Sequence, residues 1–126
     1  MKRSWIGFGM LLVLLVLALL VTWAMDRIHE PIARDLETAA DYVMAGDWEL
    51  AEVFSEQALR AWEKHAHFRA CFADHTPMED IDACFAELKI YTLRREETAF
   101  AASCGQIARK VEAIGEAHGL VWWNVL

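Results

Sequence analysis

The run WIGFGMLLVLLVLALLVTWAM, residues 5–25, contains no charged side chain and follows Lys2 and Arg3. As a helix rising about 1.5 Å per residue it extends roughly 30 Å, the thickness of a bilayer's hydrocarbon core. That reading divides the chain into a cytoplasmic stub at 1–4, a transmembrane helix at 5–25 and an extracytoplasmic domain at 26–126. Leu11, Leu12, Leu14, Leu15, Leu17, Leu19 and Leu20, with Val13, Val16 and Val21, each favour insertion by a few tenths of a kcal/mol, about 0.3–0.6 on insertion scales. Trp5 and Trp23 fall near the two interfaces, where an indole keeps its ring in the apolar layer and its N–H outside.

The flanks orient the span. Lys2 and Arg3 precede it, and Asp26, Arg27, His29 and Glu30 follow. The positive-inside bias therefore puts the N-terminus in the cytoplasm. A cleaved signal peptide is the competing reading, with Thr22 and Ala24 as small residues before a cut. The run is longer than a usual signal core, and Trp23 sits badly beside a cleavage site, so a retained signal-anchor is expected in the cell membrane.

Charge narrows the partners. All nineteen acidic residues but only ten of the twelve basic ones lie beyond Met25, so that part carries −9 against −7 for the whole chain. Nucleic acid is excluded as a partner, because phosphates are bound by neutralising Lys and Arg. Anionic lipid headgroups repel such a domain too. The remaining 101 residues suffice for one domain with its own core. Three cysteines, Cys71, Cys84 and Cys104, allow at most one internal disulfide. Cys84 with Cys104 is the better couple, since each falls on the apolar face of its own predicted helix.

Beyond the run the periodicity is helical. Pro31 suits a first turn, and Ile32, Leu36, Ala39 and Val43 follow at helical spacing until Gly46. Asp47 caps a second helix that buries Trp48, Ala51, Ala58, Leu59 and Trp62, widened by Val53 and Phe54, and continues towards Phe72. Thr76-Pro77-Met78-Glu79 matches a capping box that opens a third helix. That helix turns Ile81, Cys84, Phe85, Leu88 and Tyr91 inward and breaks at Arg94-Arg95, a solvated turn with local pairing to Glu96-Glu97. A fourth helix buries Phe100, Cys104, Ile107, Val111 and Ile114. No alternating polarity suggests a sheet. The expected fold is all-α: one transmembrane helix, then about four amphipathic helices in two antiparallel hairpins.

The joint between the first two of these resembles a tetratricopeptide repeat. Tyr42, Gly46, Trp48, Ala51, Ala58 and Trp62 supply its hairpin packing: the alanines let the helices approach, and the aromatics fill the angle between them. Tyr91, Glu97 and Ala99 give only a partial second copy. An isolated repeat-like hairpin is therefore the expectation, because stacking needs about three copies.

Gly46-Asp47-Trp48, Trp62-Glu63-Lys64-His65, Asp74-His75, Ile81-Asp82 and the final Asn124-Val125-Leu126, placed after a basic start and one span, resemble the family known as domain of unknown function 4363. The resemblance implies a small bacterial membrane-anchored helical protein with no assigned reaction. His65, Asp74, His75 and Asp82 match that family's pattern. Their expected role is a structural joint between the hairpins, in which Asp74 or Asp82 accepts a hydrogen bond from His75.

His67, Cys71 and His75 are spaced four apart. On one continuous helix they would present nitrogen and sulfur to zinc or copper, with Asp82 or Cys84 as a fourth ligand. The bland reading, caps and core filler near a helix end, is the better one. The stretch Leu120-Val121-Trp122-Trp123-Asn124-Val125-Leu126 needs cover from water. Packing back along the hairpins is the first expectation, contact with the membrane interface or a partner the second.

No nucleophile has a base beside it in the sequence, and no cofactor motif occurs. The reading is therefore a non-enzymatic interaction or scaffold protein of the bacterial cell envelope. It is anchored in the lipid bilayer through residues 5–25 and engages an envelope or membrane protein, or a second copy of itself. The alternative is a metal-binding or pH-responsive sensor using His65, His67, Cys71 and His75, because imidazole titrates near neutrality.

Overall fold

The computed structural model describes residues 1–67, 70 and 75–125, with the side chains of 75–76 and 115–125 outside that description. All regular structure among the described residues is α-helical: α1 (Lys2–Met44), α2 (Trp48–Lys64), α3 (His75–Arg94) and α4 (Glu97–Val125). The all-α expectation holds. α1 packs against both α2 and α4, and α3 packs against α4.

α1 is a single helix of 43 residues with Pro31 inside it, about 65 Å long at the usual rise. The expected fresh start at Pro31 is therefore a correction. Proline removes one hydrogen bond, the one its N–H would give the Arg27 carbonyl, and its ring crowds that carbonyl. A buried stripe running through the site outweighs the defect: Met25, His29, Ile32, Leu36, Ala39 and Val43 are each at most 2 % exposed. Each large apolar side chain fully buried there contributes about 1.5–3 kcal/mol. The N-terminal half is different. Trp5, Leu11, Leu14 and Trp23 stand 77, 66, 60 and 58 % exposed, and by length and composition this part of α1 is sufficient to cross a membrane.

Two joints of the same construction close the hairpins. Gly46, at φ +85°, ends α1. Its N–H donates to the Val43 carbonyl at 3.0 Å, and the Asp47 N–H donates to Tyr42 at 2.9 Å, the paired bonds of a Schellman end. Asp47 then accepts from the Leu50 N–H at 3.2 Å and caps α2. The second joint repeats this pattern with Arg95 at φ +55°: Arg95 N–H to Thr92 at 3.3 Å, Glu96 N–H to Tyr91 at 3.1 Å. The two joints lie side by side, since Trp48 meets Phe100 edge-on at 5.2 Å. Tyr42 stacks on Phe54 at 5.4 Å.

Most of the expected core is buried, including Ala51, Ala58, Trp62, Ile81, Phe85, Leu88, Phe100, Ile107, Val111 and Ile114. Val53 is not, at 43 % exposed, and Ser55 takes the inward position instead. α2 also stops earlier than its periodicity suggests. Lys64 is its last residue and His65 its C-cap, at φ −99° and ψ 14°, although Ala66 and His67 are helical again. Thr76 and Pro77 fall in the first turn of α3.

Candidate functional site

α2 and α3 run side by side without interlocking and leave a groove of about 440 Å³ between them. Leu59 of α2 with Phe85 and Leu88 of α3 form its apolar floor, while Glu52, Glu56, Arg60 and Glu63 on one side and Lys89 on the other form its rim, with Arg60 3.7 Å from Glu56. The floor exists because α3 turns its apolar stripe partly towards α4 and partly sideways. α2 spends its own stripe on α1.

Side-chain links between α2 and α3 lie towards both ends of the groove. At one end the Trp62 indole N–H donates to Asp82 Oδ1 at 2.6 Å. Trp62 itself is 2 % exposed, with the His29 ring edge-on at 6.3 Å and Phe85 at 6.4 Å. His29 is equally enclosed, and its Nδ1 donates to the Met25 carbonyl at 2.7 Å. A carbonyl only accepts, so the proton of a neutral His29 sits on Nδ1. At the other end Arg95 donates to Glu52 at 2.7 Å and lies 5.0 Å from the Trp48 ring centre. The turn at Arg94-Arg95 is thus not simply locally paired. Arg95 reaches another helix.

Of the expected joint, Asp82 is engaged, and its donor is Trp62. His65 is half-buried at the end of α2. Asp74 and the side chain of His75 lie outside the described residues, as do Cys71 and the side chains of the tail. His67 is exposed, and no group of three or more metal-ligating side chains occurs among the described residues. Tyr42 lies on α1, Gly46 in the joint and Trp48, Ala51, Ala58 and Trp62 on α2; Ala51, Ala58 and Trp62 are buried, and Tyr42 and Trp48 pack against the core.

Cys84 and Cys104, the better couple should a disulfide form, are both free thiols. Cys84 Sγ faces Lys110 Nζ at 3.4 Å, and Cys104 is fully buried on α4. Lys110 also donates to Asp80 at 2.6 Å, and that hydrogen bond raises its pKa. Burial pushes the Cys104 thiol up to about 12.

His29 and the Arg95 link were not picked out from the sequence. His29 had a signal, since it lies four residues after Met25 and three before Ile32 on the buried stripe. Arg95 had none, because Glu52 is 43 residues away.

The geometry is that of an all-α hairpin protein built along one long helix, half of it bare and apolar, with a groove between α2 and α3. The chain belongs to the family described as Domain of unknown function (DUF4363), whose model matches residues 20–125. No curated protein and no solved structure matches it.

Proposed function

We propose that the protein is a single-pass, membrane-anchored interaction module of the cell envelope, with no reaction of its own, that holds a segment of another envelope or membrane protein in the α2–α3 groove. The observation behind it is the pairing of two surfaces on one helical framework. The exposed apolar side chains of residues 5–23 ask for lipid, and the groove offers an apolar floor of Leu59, Phe85 and Leu88 under a rim of mixed charge, Glu52, Glu56 and Glu63 with Arg60 and Lys89. A segment with apolar side chains suits the floor, and the −9 carried beyond Met25 favours basic over acidic residues beside it. Lys2 and Arg3 before the apolar run support a groove on the outer side.

A photocrosslinking residue in place of Leu59 or of Leu93, which is 78 % exposed at the groove, tests this in native membranes. A discrete heterologous adduct is expected from both positions, and none from Thr38 on α1. Recovery of self-adducts alone would overturn the partner and leave only a self-associating anchor.

A further inference from the structure

Side-chain links across the bundle fix which parts of α1 and α4 stand level. Lys110 of α4 bonds Asp80 and touches Cys84 of α3. Asp82 of α3 bonds Trp62 of α2, and Trp62 meets His29 of α1. Lys110 is therefore level with His29. At the far end Phe100 meets Trp48, just beyond the end of α1, so α4 runs antiparallel to α1 and towards its apolar half.

α4 does not stop at the domain's edge. Counted at equal rise, the two links bring Ile114 level with the stretch from Met25 to Glu30, and Ile114 and Met25 are both buried. Five residues before the end of α4 as described, Leu120 comes level with the stretch from Leu19 to Ala24, inside the apolar run. The burial of α1 bears this out independently. Ala18 is 8 % exposed, whereas its neighbours Leu17 and Leu19 are 52 and 62 %. Ala18, Val21 and Met25 continue the domain's buried stripe at helical spacing into that run. The stripe ends there, with Leu14 and Leu15 again 60 and 45 % exposed, about where the backbone of α4 runs out.

The polarity of the two helices changes at nearly the same level. Asp26 is the first charge after the apolar run of α1, and Glu116 and His118 are the last ionisable residues before the uncharged residues 119–125 of α4. We propose that the last two turns of α4, residues 119–125, enter the hydrocarbon of the bilayer alongside α1, as a second, half-depth insertion whose occupant is lipid acyl chain. Helical backbone lowers the cost of this, since its N–H groups and all but the last four carbonyls of the helix are bonded within it. The inference rests on the anchoring of residues 5–25 proposed above.

The test uses the full chain in phosphatidylcholine vesicles with and without bromine on mid-chain acyl carbons, and reads tryptophan quenching. Three forms are compared: the unaltered chain, W122F/W123F and W5F/W23F. The single variants Trp122→Phe and Trp123→Phe stand in if the double variant loses its helical circular dichroism. Bromine quenching is expected to fall in both double variants relative to the unaltered chain, and fractional quenching by aqueous acrylamide to rise when the shielded Trp122 and Trp123 are removed. If W5F/W23F lowers bromine quenching and W122F/W123F does not, the tail lies outside the hydrocarbon. The proposal is then overturned and the anchor stands. If neither variant lowers it, the anchor fails and the proposal with it.

Discussion

Arg95 occupies in the second joint the place that Gly46 holds in the first, with the same hydrogen bonds and the same left-handed backbone. A side chain at such a φ costs about 1–2 kcal/mol that glycine does not. Arg95 offsets part of it through Glu52 and Trp48. Its side chain and that of Glu52 are 55 and 38 % exposed, so water screens the pair, and neither contact is worth more than about 1 kcal/mol. Arg95→Gly is therefore expected to leave stability within about 1 kcal/mol of the parent, while Arg95→Ala falls below Arg95→Gly by about that amount. Gly46→Ala should cost about 1–2 kcal/mol by backbone strain alone, because an added Cβ meets nothing within 4 Å. Denaturant unfolding of the three variants checks both statements. Equal stability of Arg95→Ala and Arg95→Gly would contradict them.

Among the elements, α1 departs most from what its sequence suggests. Gly46, Asp47 and the spacing of Ile32, Leu36, Ala39 and Val43 were readable because each is a local signal: a φ only glycine favours, a cap, a period. Pro31 was ambiguous, since the same residue opens helices and interrupts them. Burial on both sides of it, visible only when α2 and α4 are in place, decides for interruption without a break. Pro31 is exposed, so Pro31→Ala touches no core contact and returns an N–H to the ladder. A rise in stability of up to about 3 kcal/mol is expected in thermal unfolding. No rise would mean that α1 is bent there to fit its partners. The candidate site was less legible than the fold. The groove and its two closing links join residues far apart in the chain, Trp62 with Asp82 and Arg95 with Glu52, and no local spacing announces either.

At the scale of the molecule, two titrations act in the same direction. The Cys104 thiol, about 9 when free, is raised to about 12 by burial, so its neutral form is favoured in the folded chain. Its contribution is fully present below pH 9 and is lost as pH rises from 9 towards 12. Lys110, raised chiefly by its hydrogen bond to Asp80, likewise contributes below its ordinary value and loses that contribution above it. Stability should therefore decline above pH 9, and Cys104→Ala should flatten the decline when unfolding is followed against pH. An unchanged slope would assign the decline to Lys110 and the remaining alkaline groups.

The absence of a loop anywhere between Lys2 and Met44 makes α1 a drive shaft. Each residue along it advances the azimuth by about 100°, so the bearing at which the first half is gripped dictates the compass direction in which the second half points its groove. Any torque at one end reaches the other without a joint to absorb it.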